Sequence, residues 1–167
     1  AIHTLLNNVG TATQLKKKQD DLVKNFDKMA TIVEDYRDML GGVINNATLT
    51  PVERTRYEQR IDQEGDKVVD MYQAYYDFLK QKANVPEIER DPALVDERNR
   101  IATRYAEKLQ ERSGELADRY GELVQQRQAL IDGGALPTDP AVTALDTQIE
   151  TLANRSACLQ PPLEDLR

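Results

Sequence analysis

The residue types that most often perform chemistry are scarce in this sequence. His3 is its only histidine and Cys158 its only cysteine. A helical bundle that holds two metal ions needs Glu-x-x-His pairs on facing helices, and a cysteine nucleophile needs a neighbouring base, so the sequence supplies neither centre. We therefore predict no catalytic residue, no metal ligand and no cofactor, and we expect a non-enzymatic protein.

One row of acidic residues has the spacing of a helix face and is the remaining candidate for a cation site: Glu111, Glu115, Asp118 and Glu122. Arg112 and Arg119 lie within the same row, and opposite charges three or four residues apart pair along a helix. We interpret the row as an ion-paired, solvated face rather than as a metal site.

The overall composition narrows the class of protein. Charged residues make up 31% of the chain and aromatic residues 5%, with no tryptophan, which predicts long helices around a thin core. The net charge is −7, and no helix presents the clustered basic face that binding to phosphates requires. We expect no nucleic-acid partner and no transmembrane segment.

The cellular compartment stays open at this stage. The sequence begins at Ala1 rather than at methionine, and we expect a soluble chain that is compatible with export after removal of a signal. Cys158 fits two roles: a small packing residue near the last helix, or an intermolecular disulfide in an oxidising compartment. Organism, partner and oligomeric state are not indicated by the sequence.

A heptad pattern dominates the first part of the chain. Its positions alternate at spacings of four and three, and one of them is the polar Gln19: Leu15, Gln19, Leu22, Phe26, Met29, Val33, Tyr36 and Leu40. Such a repeat keeps one seam of an α-helix facing a partner helix. With shorter ladders further along, it predicts an all-α, elongated antiparallel bundle of three long coiled-coil-like helices plus a short fourth helix.

Turn and capping residues divide these helices. The first is expected from about Thr4 to 40 or 44, where Gly41-Gly42 is the stop signal. The next three are expected to start at Pro51, Pro92 and Pro140, each preceded by a capping residue, and to end near 83, 132 and 156. We predict one helical domain over 1–157 and an extended tail over 158–167, because the Pro161-Pro162 pair disfavours a helix.

Aromatic residues cluster at the end of the bundle where only three helices are expected. We predict that these residues contact a protein partner: Tyr72, Tyr75, Tyr76, Phe78 and Tyr105. At least Tyr76 or Phe78 should be partly exposed, since rings within two helical turns cannot all face one narrow seam. Simple filling of the core is the alternative interpretation.

Three functions remain after these exclusions. The first is a non-enzymatic structural or protein-interaction module that self-associates or docks a partner through its heptad helices. The segment 42–49 resembles the minor pilus-tip subunits of type IV secretion systems over eight residues, and this resemblance implies a second function, a pilus-tip or periplasmic adaptor subunit of the cell envelope. The third is a sensor domain that binds a small ligand between helices, lined by Tyr72, Tyr75 and Tyr105.

Overall fold

The computed structural model describes residues 12–86 and 90–166, with side chains described from residue 17 onward. These ranges form four α-helices and no β-strand: α1 Ala12–Asn46, α2 Pro51–Ala83, α3 Pro92–Asp132 and α4 Pro140–Asp165. The predicted all-α helical bundle, with three long helices and a shorter fourth, is confirmed. The predicted start of the first helix near Thr4, and His3, lie outside the described residues.

The predicted starts of α2, α3 and α4 at Pro51, Pro92 and Pro140 are confirmed. At α2, Glu53 N donates to Thr50 Oγ1 (3.1 Å) and Thr50 N donates to Glu53 Oε1 (3.4 Å), which completes the capping box. At α3, Ala93 N donates to Asp91 Oδ1 (2.9 Å). Each of these bonds satisfies an amide at the start of a helix that has no partner within the helix.

The glycine stop after α3 is also confirmed. Gly134 has φ +99°, a left-handed conformation in which glycine avoids the strain of a side chain. Ala135 N donates to Leu130 O (2.9 Å) and Gly134 N donates to Ile131 O (3.0 Å), the two bonds of a Schellman motif. Helix α3 therefore ends where the sequence predicts.

The predicted stop at Gly41-Gly42 is wrong, because α1 continues through both glycines to Asn46. Each glycine inside a helix costs about 1 kcal/mol relative to alanine. Backbone bonding continues past them, with Ala47 N donating to Val43 O (3.0 Å), and Asn46 Nδ2 donates to Gly42 O (3.0 Å). The glycines weaken this end of the helix without breaking it.

The predicted extended tail is wrong as well. Helix α4 runs through Pro161 and Pro162 to Asp165, although proline removes a backbone donor and strains the preceding turn. Leu163 is buried and Leu159 packs against the leucine cluster of this region. We attribute the continuation of the helix to the burial of these two apolar side chains.

The chain forms two compact units, Ala1–Lys108 and Leu109–Arg167, to which α3 contributes its first and second parts. The predicted domain boundaries stay a prediction. In the first unit, Phe26 contacts Tyr72 (5.0 Å between ring centroids) and Arg37 Nε donates to Ile61 O (3.0 Å), so α1 and α2 are antiparallel.

In the same unit, α3 runs parallel to α1. Arg100 Nη2 lies 3.0 Å from Asp27 Oδ1, and Lys108 Nζ lies 2.7 Å from Glu34 Oε1. The seam residues predicted on α1 that are buried in this core are Leu22, Phe26, Val33 and Leu40.

The second unit is a hairpin formed by the end of α3 and by α4. Leu116, Leu123 and Leu152 form its buried cluster, and Leu145 and Ile149 pack against that cluster. Arg127 Nε also lies 2.6 Å from Asp146 Oδ1. The leucine cluster and this ion pair both join the two helices of the unit.

Candidate functional site

The aromatic residues predicted as a partner-binding site lie together in the first unit and pack mainly on one another. The Phe26 ring stacks on Tyr75 at 4.1 Å between centroids and meets Tyr72 edge-on. Tyr75 also stacks on Phe78 (6.5 Å), whereas Tyr76 packs against Tyr105 (5.8 Å). Phe26, which the sequence places in the α1 seam, is therefore the ring that joins α1 to this cluster.

Burial separates these residues into two groups. Tyr72, Tyr75, Phe78 and Tyr105 are buried, while Tyr76 is half-buried. The expectation of partial exposure at Tyr76 or Phe78 thus holds at Tyr76, and the other four residues fill the core as in the alternative interpretation. Contact of these residues with a partner stays a prediction.

The polar atoms at the edge of this cluster form an ionic network. Arg100 pairs with Glu97 on its own helix and with Asp27 on α1. Hydrogen bonding to Glu97 raises the pKa of Arg100, so its charge is permanent at physiological pH. Arg104 Nη2 donates to Tyr72 Oη (3.4 Å). These contacts tie α3 to both α1 and α2.

Two phenols of the cluster, those of Tyr75 and Tyr105, have raised pKa values. Burial raises the pKa of Tyr75, with a further contribution from Glu97, and burial raises the pKa of Tyr105 to about 12. Both phenols are therefore neutral at physiological pH. Tyr75 Oη is buried, and no acceptor lies at a distance and angle suitable for a hydrogen bond with it. At physiological pH neither of these two phenols therefore offers a phenolate that could accept a proton.

The other candidates from the sequence do not converge on a centre. Within 12–86 and 90–166, no three His, Cys, Asp or Glu side chains are placed to hold a metal ion. Along the acidic row of α3, Arg112 Nη1 pairs with Glu115 Oε2 (2.8 Å) and Arg119 Nη1 with Glu122 Oε2 (3.1 Å). Arg112 is buried, so this part of the row is not the solvated face that we predicted.

The feature that sequence reasoning missed is a second apolar line on α1, which we call the α1 stripe: Ile32, Tyr36, Met39 and Val43. The exposed fractions of Ile32, Tyr36 and Met39 are 60%, 37% and 55%, and Val43 is half-buried. Successive positions are four, three and four residues apart and so share one face of the helix. The α1 stripe is a second heptad register, and it shares Tyr36 with the predicted seam.

Helix α2 borders the α1 stripe on one side with charged residues. The Arg60 guanidinium lies over the Tyr36 ring, 5.8 Å from its centroid. Arg60 Nε is 3.3 Å from Glu64 Oε1, and Lys67 Nζ is 3.8 Å from Glu64 Oε2. Glu64 is only 4% exposed, so its carboxylate is enclosed between two more exposed cations. This border is basic on its outer surface.

The opposite border of the α1 stripe is formed by α1 itself. At about 100° per residue, Asp35 lies about 60° to one side of Ile32, while Tyr36 lies about 40° to the other side, toward Arg60. Asp38 lies further round on the same side as Asp35, and both aspartates are exposed. The α1 stripe is therefore bordered by cations on one side and by carboxylates on the other.

In the second unit, exposed apolar side chains are fewer and less aligned. Tyr120 and Val124 of α3 are about two-fifths exposed, and Leu136 lies in the loop before α4. Cys158 is exposed on α4. Scattered apolar residues of this kind are normal on protein surfaces.

Membrane spans and similarity to known proteins were the remaining possible indications of function. No helix among the described residues is long and apolar enough to cross a membrane. Comparison of the chain with protein-family models, with curated proteins and with solved structures finds no match.

Proposed function

We propose that this chain is a non-enzymatic, helical protein-interaction module whose working surface is the α1 stripe. The observation that carries the proposal is the exposure of Ile32 and Met39, more than half of each side chain, on the same helix line as Tyr36. Aligned apolar side chains bordered by charged residues are typical of protein-binding surfaces.

The spacing of the α1 stripe favours a helix as its occupant. Positions separated by four, three and four residues place side chains in a straight line along α1. An apolar row of this kind complements the apolar row of another amphipathic helix. The heptad spacing, from which the sequence predicts an interaction with another helix, is therefore also present on the exposed α1 stripe.

The buried aromatic cluster supports this proposal indirectly. Phe26 packs against both Tyr72 and Tyr75 and so joins α1 to α2. The cluster therefore acts as the rigid core that holds α1 against α2 and keeps the α1 stripe in position. A site on packed helices is more precisely held than a site on loops.

The proposal is tested by cross-linking in the cells that produce the protein. A photo-reactive amino acid at Met39 should form covalent adducts with another protein molecule upon illumination. The matched control carries the same amino acid at Gln73, which is exposed on α2 about 140° around that helix from Arg60 and therefore away from the α1 stripe. Adducts at Met39 that do not exceed those at Gln73 would contradict the proposed function.

A further inference from the structure

The charged residues that border the α1 stripe indicate which kind of binding partner is complementary to it. The side formed by α2 carries Arg60 at the level of Tyr36, and Arg56 follows one helical turn away on the same face and is exposed. The side formed by α1 carries Asp35 and Asp38, which flank Tyr36 in sequence. One surface thus contains an apolar row, a basic border and an acidic border at the same height.

Such a surface is complementary to itself in one orientation. If two copies face each other with their α1 helices parallel, a two-fold axis runs along the helices. Helix α2 of each copy then lies over the acidic border of the other, and residues keep their level along α1. Arg60 of one copy meets Asp35 and Asp38 of the second copy, so opposite charges face each other.

The antiparallel orientation opposes like charges instead. Its two-fold axis runs across the helices, which places α2 over α2 and the acidic border over the acidic border. Arg60 and Arg56 would then face the same cations of the second copy, and like charges brought together at an interface disfavour it. The electrostatic pattern therefore selects the parallel arrangement.

We propose that the occupant of the α1 stripe is a second copy of this chain, bound with its α1 helix parallel to the first and with Arg60 of each copy facing Asp35 and Asp38 of the other. This inference rests on the proposed function, because it names the partner of the same surface. It adds a stoichiometry of two and an orientation.

The pairing is expected to be weak and reversible. From Ile32 to Val43 the α1 stripe is about 16 Å long at 1.5 Å per residue, so it provides less contact than the roughly 800 Å² per partner of a standard interface. We expect a dissociation constant on the order of 10 to 100 µM. Salt should weaken the pairing, because the two borders are exposed to solvent.

Disulfide trapping tests the orientation directly. In a Cys158→Ser background, Ile32→Cys should form disulfide-linked dimers under mild oxidation, and Met39→Cys should do the same. An equimolar mixture of the two should give no mixed dimer, because positions 32 and 39 of parallel helices differ by about 10 Å in height, whereas a disulfide needs a Cβ separation near 4 Å. Thr31→Cys is the control and should remain monomeric.

The outcomes separate this inference from the proposed function. Mixed dimers between Ile32→Cys and Met39→Cys would show an antiparallel pair and overturn the orientation. Trapping at Ile32→Cys and Met39→Cys no greater than at Thr31→Cys would overturn the second copy as occupant. A photo-adduct at Met39 with a different protein would then still support the proposed function. The absence of any photo-adduct would overturn both the proposed function and the pairing of two copies.

Charge reversal tests the borders. The double substitution Asp35→Arg/Asp38→Arg places cations opposite Arg60 of the second copy, so it should weaken the pairing at least fivefold at low salt. The helicity of the monomer should be unchanged, since both aspartates are exposed on α1. An unchanged dissociation constant would contradict the proposed pairing of charges.

Discussion

Single side chains in the first unit show how the α1–α2–α3 core is specified. Phe26 packs on two tyrosines of α2, and the two phenols differ in what they bond. Tyr72 Oη accepts a hydrogen bond from Arg104. Tyr75 Oη is buried, and no acceptor is positioned for a hydrogen bond with it. This difference gives a matched pair of substitutions.

Removing the two hydroxyl groups should have different effects on stability. Tyr72→Phe should lower the free energy of unfolding by about 1 kcal/mol, because a hydrogen bond to a charged donor is lost. Tyr75→Phe should leave it unchanged or raise it by up to about 1 kcal/mol, because a buried unsatisfied group is removed. Urea unfolding of the two variants beside the unmodified chain measures both effects; equal losses would contradict this description.

Tyr105 should make stability fall in alkaline solution. Its pKa rises to about 12 in the folded chain from an ordinary value near 10, so the unfolded chain loses this proton first. The free energy of unfolding should therefore decrease between about pH 10 and 12, by up to about 1.4 kcal/mol per pH unit for this group. In Tyr105→Phe the decrease should be smaller, and an identical pH profile would show that Tyr105 is not the cause.

At the scale of helices, the sequence predicts starts better than ends. Thr50 with Glu53 and Asp91 before Pro92 are local signals, and the structure uses both. The stop at Gly41-Gly42 and the tail after 157 depend instead on whether packing offsets a local cost. The periodicity of the sequence could not predict this packing, because the packing depends on which apolar residues of other helices lie opposite.

Two glycines inside α3 provide a test of helix stability. A Cβ added at Gly114 or at Gly121 would meet no heavy atom within 4 Å apart from the nearby backbone of its own helix. Gly114→Ala and Gly121→Ala should therefore each raise the free energy of unfolding by about 1 kcal/mol. Gly134→Ala is the contrasting variant and should lower it by about 1 to 2 kcal/mol, because φ is +99° there. Thermal unfolding followed by circular dichroism distinguishes the three.

The continuation of α4 past its two prolines can be tested at Leu163. This side chain is buried, and Leu163→Ala should destabilise the second unit by about 2 kcal/mol. The neighbouring Glu164→Ala is the control and should change little, because Glu164 is exposed. Equal, small effects in both variants would favour the extended tail that the sequence predicts.

For the whole molecule, the sequence predicts the fold class, whereas the exposed apolar line on α1 is seen only once the helices are packed. The heptad residues Leu22, Phe26, Val33 and Leu40 are in the core as expected. Tyr36 fits two registers, and only the packing of α2 shows that it belongs partly to the exposed one. The aromatic residues that attract attention in the sequence are mostly core, since rings of this size are also efficient at filling space.

Pairing of the α1 stripe with a second copy of the chain can be measured as the mass in solution by light scattering. The mass should rise from 18.9 kDa toward twice that value with increasing concentration, under reducing conditions that exclude a Cys158 disulfide. The variant Ile32→Ser/Met39→Ser should remain at 18.9 kDa with unchanged helicity. The pairing would be contradicted if the mass of the unmodified chain stayed at 18.9 kDa up to about 0.5 mM, a concentration well above the expected dissociation constant.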